Sequence, residues 1–256
     1  MRNTPLSHSL RYQRGISLFI VIVIVMLSML LALWSARTSL FNELVVGNDA
    51  DYQRAFEAAQ ALLQDAEFDI RGERPDGMPC VPEPGNVDKC RPPPPEPPNP
   101  PGPGADVWFP TEDKEFGDLM VTLNNKPSTH YCLKGMCLKR IGNQDFWNDK
   151  ATLNAMLSEG ARYGQFTGAE IGAAGSAASS PILKNVTSGQ GGWYWIEVMP
   201  YDSNAGSSSL LTNGPANLAL NLKPNLVYRI TAIARGIKPN TQVVLQSTFV
   251  RQKMKD

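Results

Sequence analysis

An apolar run near the start of the chain constrains its fold more than any other feature. Residues 16–34 read ISLFIVIVIVMLSMLLALW and contain no charged side chain. A helix over this run is about 28 Å long at 1.5 Å per residue, which matches the roughly 30 Å hydrocarbon core of a bilayer. Three arginines precede the run and no acidic residue occurs before Glu43, so the basic flank is expected to stay in the cytoplasm. We therefore expect one membrane span, with the bulk of the chain exported.

The helical pattern continues well past this run, because no proline occurs between residues 16 and 74. Apolar residues recur at spacings of three and four, which is typical of one face of a helix. They are Phe41, Leu44, Val45, Tyr52, Ala55, Phe56, Ala59, Leu62, Leu63, Ala66 and Ile70. Charged and amide residues, Asp65 among them, are assigned to the remaining surface. Gly72, which follows Arg71, is the expected C-terminal stop.

These patterns predict one helix over residues 16–71, on the order of 80 Å long. Its first half is apolar all round, whereas its second half has one face that a soluble domain would cover. A long coiled-coil stalk is the alternative for the second half. The stripe is rich in alanine and extends for only about four heptads, which favours the packed domain.

The composition changes sharply over residues 79–104, where proline dominates. The prolines at 92–95 and 97–98 exclude a helix or a central strand and predict an extended, polyproline-like loop. A passive spacer and a rigid contact arm for a partner subunit are both compatible with this loop.

Four cysteines in an exported domain are expected to form disulfides, and four cysteines allow three pairings. We favour Cys80–Cys90 and Cys132–Cys137 because short loops close easily. A zinc site is the alternative, but the cysteine spacings do not match a zinc ribbon, and His130 is the one histidine after the membrane run.

The C-terminal part of the chain predicts a small antiparallel sheet and one short helix. Strands are expected at residues 192–199, 226–235 and 241–251, with Trp193 and Trp195 on one face as packing residues. The short helix begins after an Asp145 cap, runs to residue 157 and stops at Gly160. A sheet that buries one face against the long helix gives an α+β fold.

No enzyme motif is recognisable, so we predict no catalytic, cofactor-binding or metal-binding residue. The 24 basic and 24 acidic side chains balance, which argues against a nucleic-acid partner. Nucleophile-elbow, zincin and P-loop patterns are missing, and a serine triad would depend on His130 alone. The segment at residues 202–206 reads as a turn, since it lacks the later acidic ligand of a calcium loop.

The junction Gln13-Arg14-Gly15-Ile16-Ser17-Leu18 and the segment WSARTSLFNELVVGNDADYQRAFEAAQALLQDAEFDIRG resemble PilX-type minor pilins of type IV pili. The resemblance covers residues 13–72 and, less closely, residues 147–164 and the final two strands. It implies that a prepilin peptidase cuts between Gly15 and Ile16 and methylates Ile16. It also implies a leader at residues 1–15, an assembly helix at 16–37, its amphipathic continuation at 38–72 and a globular head at 73–256. Ile16, Phe19, Ile20 and Trp34 are the expected residues of the assembly helix.

Ile20 departs from the pattern of ordinary pilins, which carry glutamate at this fifth mature position. In the family, that glutamate pairs with the N-terminal amine of a neighbouring subunit, because a carboxylate in hydrocarbon is costly unless it is paired. PilX-type pilins and the tip pseudopilin of type II secretion share this absence, which implies placement at the filament tip. Ile16 also departs from the common phenylalanine at the first mature position.

The resemblance implies a minor pilin that helps to initiate pilus assembly for twitching motility and adhesion. Expected partners are other minor pilins, the major pilin, the prepilin peptidase, the inner-membrane assembly machinery and, as a further candidate, a tip adhesin. The protein is expected in the inner membrane before assembly and in the surface pilus afterwards. A type II secretion tip pseudopilin and an unassembled, signal-anchored periplasmic protein are the alternatives.

Overall fold

The computed structural model of the chain describes residues 16–82, 89–95, 107–125, 130–172, 180–201 and 222–252. The chain divides into two compact units, residues 1–49 and residues 50–256. In its described part, the first unit consists of the beginning of helix α1, which spans Ile16–Arg71. The second unit contains the end of α1 and the elements that follow.

Helix α1 ends at Arg71, as the sequence predicts, and it ends in a Schellman motif. Gly72 adopts a left-handed φ of 68°, and its N–H donates to the carbonyl of Asp69. The N–H of Glu73 donates to the carbonyl of Phe68, which completes the motif. Glycine has no Cβ to oppose this conformation, so its position after Arg71 determines where the helix stops.

The described strands form one five-stranded sheet in the order β1-β2-β3-β4-β5. They span Cys132–Leu133, Met136–Leu138, Gly192–Pro200, Leu222–Arg235 and Gln242–Gln252. Strands β2 and β3 pair in parallel, and the other pairs are antiparallel. The three long strands agree with the prediction, although β4 begins four residues earlier. The sequence did not predict β1 and β2, because such short strands carry no readable alternation.

Within the described ranges, three further α-helices accompany the sheet: α2 at Asp113–Asn124, α3 at Lys150–Leu157 and α4 at Pro181–Lys184. The predicted aspartate cap is present, but it is Asp149 and not Asp145. A 3-10 turn at Phe146–Asn148 intervenes, and Asp149 caps α3 by accepting a hydrogen bond from the N–H of Thr152. Helix α2 was also missed, although Glu112 and Glu115 form a capping box at its start.

Helices pack against both faces of the sheet. On one face, small and aliphatic residues of α1 contact a buried set that includes Tyr194 of β3 and Tyr228 of β4. The α1 residues of this core are Ala55, Ala58, Ala59, Leu62, Ala66 and Ile70. The other face carries Trp193, Trp195 and residues of α3. Because alternate residues of a strand point to opposite faces of the sheet, β3 contributes buried side chains to the hydrophobic core on each face.

The apolar stripe of α1 is buried over a shorter length than the sequence predicts. Phe41, Leu44 and Val45 have exposed fractions of 60–66%, and Tyr52 is 48% exposed. Burial begins at Asp51 and continues to Ile70. Helical periodicity identifies an apolar face, but it does not say how much of that face the rest of the same chain covers.

Candidate functional site: an exposed apolar helix and its buried carboxylates

The four residues predicted for the assembly helix all lie exposed on α1. Ile16, Phe19, Ile20 and Trp34 have exposed fractions of 68%, 69%, 49% and 76%. The other side chains from residue 17 to 46 are exposed as well. Helix α1 is long and apolar enough to cross a membrane. A contiguous apolar surface of this size is unfavourable in water, so it requires a covering of lipid or of other protein.

Two hydroxyl groups of this surface form hydrogen bonds within the helix. Ser28 Oγ donates to the carbonyl of Val25 at 2.8 Å, and Thr38 Oγ1 donates to the carbonyl of Trp34 at 3.0 Å. Such back-bonding removes the need for a water partner and suits a helix in a dry environment. No charged side chain lies between Ile16 and Trp34, including at position 20.

In the second unit, α1 carries three buried aspartates that bind distant backbone and side-chain groups. Asp51 is 1% exposed and accepts hydrogen bonds from the N–H groups of Ile237 and Lys238 at 2.9 and 3.0 Å. Burial raises the pKa of Asp51, but hydrogen bonds from Ile237, Lys238 and Thr241 outweigh this effect, so that its pKa is lowered. Asp51 thereby holds the β4–β5 turn against α1.

Gly236 makes this contact possible. A Cβ atom at position 236 would lie 2.2 Å from Asp51 Oδ2 and 2.6 Å from the Thr241 side chain. A larger residue would therefore push the turn away from the carboxylate, which explains the glycine at this point of close approach.

Asp65 is also buried, whereas the sequence pattern predicts that it lies on the exposed surface of the helix. Its carboxylate accepts hydrogen bonds from the N–H of Gly164, at 2.7 Å, and from Thr167 Oγ1. No cation pairs with it among the described residues. Burial raises the pKa of Asp65 to about 6, against the two hydrogen bonds, and the nearby Asp69 adds to the rise.

This pKa predicts a pH-dependent stability. The folded chain holds the Asp65 proton more tightly than the unfolded chain, whose pKa is near 3.8. Stability from this group is therefore fully present below pH 3.8 and is lost as the pH rises through about 6. We expect Asp65 to make the free energy of unfolding about 1 kcal/mol larger at pH 5 than at pH 7.5.

Asp65→Asn provides the test, because asparagine does not titrate and keeps an acceptor for the Gly164 N–H. Urea unfolding of the full chain in detergent, monitored by tryptophan fluorescence, gives the free energy of unfolding at pH 5 and pH 7.5. The difference between the two values should be smaller in the variant than in the wild type by about 1 kcal/mol. An identical pH dependence in both proteins would contradict the burial of a charged Asp65.

Asp69 forms a buried ion pair with Arg91. Arg91 Nε and Nη2 lie 2.8 Å from Asp69 Oδ1 and Oδ2, respectively, and Nη2 also donates to the carbonyl of Lys134 at 2.9 Å. Tyr194 Oη donates to Asp69 Oδ2 at 3.0 Å. The guanidinium carbon of Arg91 lies 3.9 Å from the ring centroid of Phe166. This geometry connects α1 to β3 and to the segment before the proline run.

Sequence reasoning missed this role of the aspartates, although a signal was present. Asp51, Asp65 and Asp69 are separated by 14 and 4 residues, which places them on the same helical face as Ala55 and Leu62. A carboxylate on an otherwise apolar face predicts a buried partner.

Both favoured disulfides are present in the structure. Cys80 pairs with Cys90, and Cys132 pairs with Cys137 across the β1–β2 hairpin. The first disulfide lies directly before Arg91 and thus holds the ion pair of Asp69 in place. Among the described residues, no group of three or more histidine, cysteine, aspartate or glutamate side chains could hold a metal ion.

Trp193 and Trp195 are both 1% exposed, as expected for packing residues. Trp195 Nε1 donates to the carbonyl of Met156 at 3.0 Å, which connects β3 to α3. The guanidinium carbon of Arg162 lies 4.1 Å from the ring centroid of Trp193. These contacts leave no open aromatic platform for a ligand.

Several predicted features lie outside the described residues. They are Gly15 and the rest of the leader, residues 83–88 and 96–104 of the proline-rich loop, and the turn at residues 202–206.

Two family models match the chain. The model described as PilX N-terminal matches residues 14–64, and the model described as type IV pilus assembly protein PilX C-term matches residues 124–251. Residues 65–123, which include the proline-rich loop and Arg91, lie between the two matches. No curated protein and no solved structure matches the chain.

Proposed function

The chain belongs to the PilX family and is a minor pilin of type IV pili, and from this premise we propose how it is processed and placed. A prepilin peptidase cuts between Gly15 and Ile16 and methylates the new N-terminus at Ile16. The mature subunit then enters the pilus with other minor pilins, occupies the tip and helps to initiate assembly for twitching motility and adhesion.

The observation that carries this proposal is the exposed, uncharged and largely apolar surface of α1 over residues 16–36. In the membrane, lipid covers this surface. In the fibre, the corresponding helices of neighbouring subunits take the place of lipid, so the apolar surface stays out of water throughout. Beyond Asp51, the same helix is covered by the sheet of the second unit, which the subunit displays at the fibre surface.

Placement at the tip follows from Ile20. A glutamate at this position would reach the N-terminal amine of a neighbour, whereas an isoleucine offers no charge to pair with it. The subunit still presents its own amine at Ile16 to a glutamate from below. It therefore accepts one axial neighbour and not two, as a terminal subunit would.

The partners in this proposal are the prepilin peptidase, the inner-membrane assembly machinery, other minor pilins and the major pilin. A tip adhesin is a further candidate, since a terminal subunit displays a surface that no other pilin covers. The protein is anchored in the inner membrane before assembly and belongs to the surface pilus afterwards.

Mass spectrometry of the N-terminus tests the processing step. We expect the chain from cells that possess the peptidase to begin at N-methylated Ile16, 15 residues shorter than the precursor. Cells that lack the peptidase should retain residues 1–15. An intact leader in peptidase-positive cells would favour an unassembled, signal-anchored protein instead.

Deletion of the gene separates the pilin from a secretion pseudopilin. We expect surface pili to be lost while protein secretion is retained, and sheared wild-type filaments should contain the protein. Loss of secretion with normal piliation would contradict the assignment to the pilus tip.

A further inference from the structure

The outer edge of strand β5 is regular and has no neighbouring strand among the described residues. β5 stands at one end of the sheet order, so β4 pairs with it on one side and the other side is open. The β4–β5 ladder runs from Val250 to Gln242 without a register shift. A bulge would bend the strand, so an unbulged ladder leaves an edge to which a further strand can add.

Hydrogen bonds near the β4–β5 turn show which backbone groups of β5 point outward. The N–H of Gly236 donates to the carbonyl of Thr241, so the backbone of Thr241 points toward β4. Because these groups alternate in direction along a strand, those of the even-numbered β5 residues point away from β4. The N–H of Arg235 donates to the carbonyl of Gly191, on the β3 side, which agrees with an outward direction for its cross-strand partner Gln242.

Four residues in the middle of β5 therefore present an N–H and a carbonyl at the open edge: Val244, Gln246, Thr248 and Val250. Within the described ranges, no group pairs with these outward N–H groups and carbonyls. Gln246 and Thr248 are exposed, which makes this edge accessible. The sequence of β5 contains no proline, lysine or acidic residue, although such residues commonly protect edge strands. The edge is thus a template for main-chain hydrogen bonds from another chain.

The side chains of β5 specify what an added strand would carry. On the α1 face, Leu245 and Phe249 are half-buried and pack against the core, so apolar side chains fit beside them. On the other face, Gln246 and Thr248 are exposed and suit hydroxyl-bearing neighbours. Arg251 is the one charged side chain of β5 and pairs with no acid among the described residues, so an acidic side chain opposite it is complementary in charge.

These observations do not favour a second copy of β5 as the occupant. Antiparallel pairing of two β5 edges needs a two-fold axis perpendicular to the sheet, and this axis reverses the direction of α1, which packs on one face. Copies anchored in one membrane, as proposed above, have α1 helices that run in the same direction. A parallel pair needs an axis along the strand, which places the apolar face of one copy beside the polar face of the other.

We propose that the outer edge of β5 binds an extended segment of a partner protein, which adds to the sheet as an antiparallel strand. Its hydroxyl-bearing residues lie opposite Gln246 and Thr248 and exchange main-chain hydrogen bonds with them. Its apolar side chains lie on the α1 face, and an acidic residue lies opposite Arg251. This inference goes beyond the proposed function, since it rests on membrane anchoring and not on leader cleavage or on placement at the tip.

Backbone amide hydrogen exchange tests the edge and its occupant on the full ¹⁵N-labelled chain in detergent micelles. In the free protein, the amides of Gln246 and Thr248 should exchange at least about tenfold faster than those of Leu245 and Phe249, which bond to β4. The probe is acetyl-Glu-Thr-Val-Thr-Leu-Thr-Val-Thr-amide. It should slow exchange at the outward amides and leave the inward amides unchanged.

Two N-methylated forms of this peptide are the matched controls. In the antiparallel arrangement, the threonine N–H groups of the peptide face β5, and its valine and leucine N–H groups face away. N-methylation of the two central threonines should therefore weaken binding at least about tenfold. N-methylation of the leucine and of one valine should change the affinity by less than about twofold.

Thr248→Pro removes one outward N–H from the chain and keeps the β4–β5 ladder, because that N–H does not bond to β4. We expect at least about tenfold weaker binding of the unmethylated peptide. Thr248→Val retains the N–H and should bind like the wild type. An unchanged tryptophan fluorescence spectrum would establish that Thr248→Pro is folded, and the methylated peptides test the edge on the wild-type chain in any case.

Four results would each overturn the proposal: slow exchange of the outward amides in the free protein, no binding of the unmethylated peptide, equal binding of the two methylated forms, and wild-type affinity in folded Thr248→Pro. Slow exchange at every protein concentration would show that the chain covers its own edge. Slow exchange that appears only at high concentration would show a second copy there. None of these results bears on leader cleavage, which the mass of the N-terminus tests separately.

Discussion

Replacing Arg91 by glutamine should destabilise the second unit by about 3–5 kcal/mol, because it leaves the Asp69 carboxylate buried without its cation. Asp69 is 3% exposed and receives two charged hydrogen bonds from Arg91. A domain of ordinary stability has about 5–15 kcal/mol in total, so the loss is a large share. Urea titration in detergent, monitored by tryptophan fluorescence, measures this loss as the difference in free energy of unfolding between wild type and variant.

The double variant Asp69→Asn/Arg91→Gln separates two effects on stability: the cost of an unpaired buried charge and the cost of the lost contacts. It removes both charges, so we expect it to be more stable than Arg91→Gln alone, even where the single variant does not fold. Arg54→Gln removes an exposed arginine and should change the free energy of unfolding by less than about 0.5 kcal/mol. A loss below about 1 kcal/mol in Arg91→Gln would mean that water reaches Asp69.

Val25→Arg should lower the amount of this protein in sheared filaments at least about tenfold. Val25 lies in the middle of the apolar run, where a charged side chain costs roughly 2.5–3.5 kcal/mol in a membrane environment. The remaining apolar residues still suffice for insertion, so the variant should be present in the membrane fraction. Immunoblots of the filament and membrane fractions measure the ratio.

Gln53→Arg is the matched control for this prediction, since it adds the same charge to an exposed position of the same helix. It should reach the filaments at the wild-type level. If Val25→Arg also reached them normally, the apolar half of α1 would not pack in a dry fibre core, and the proposed mode of assembly would fail.

Patterns that are local in sequence predicted much of the architecture. Helix α1 runs unbroken to its predicted end because its periodicity continues to Ile70 and because Gly72 permits the left-handed conformation that ends it. The three long strands follow from their alternation and aromatic content. The two disulfides close short loops, with sequence separations of 10 and 5.

Features that depend on distant partners were missed or misplaced. Strand β2 pairs in parallel with β3, about 60 residues further along the chain, and neither its length nor its composition indicates this. The buried part of the α1 stripe begins only near residue 51, because burial depends on which surface the sheet covers.

The sequence by itself determined where the long helix ends and which part of it can lie in lipid, and it favoured the two disulfides that form, since each depends on neighbours within a few turns or a short loop. Only the tertiary structure decided that Asp51, Asp65 and Asp69 are buried. Their partners lie 186, 102 and 22 residues away, at Ile237, Thr167 and Arg91. A carboxylate enters a core only where donors or a cation compensate for its lost hydration, and folding brings those groups together.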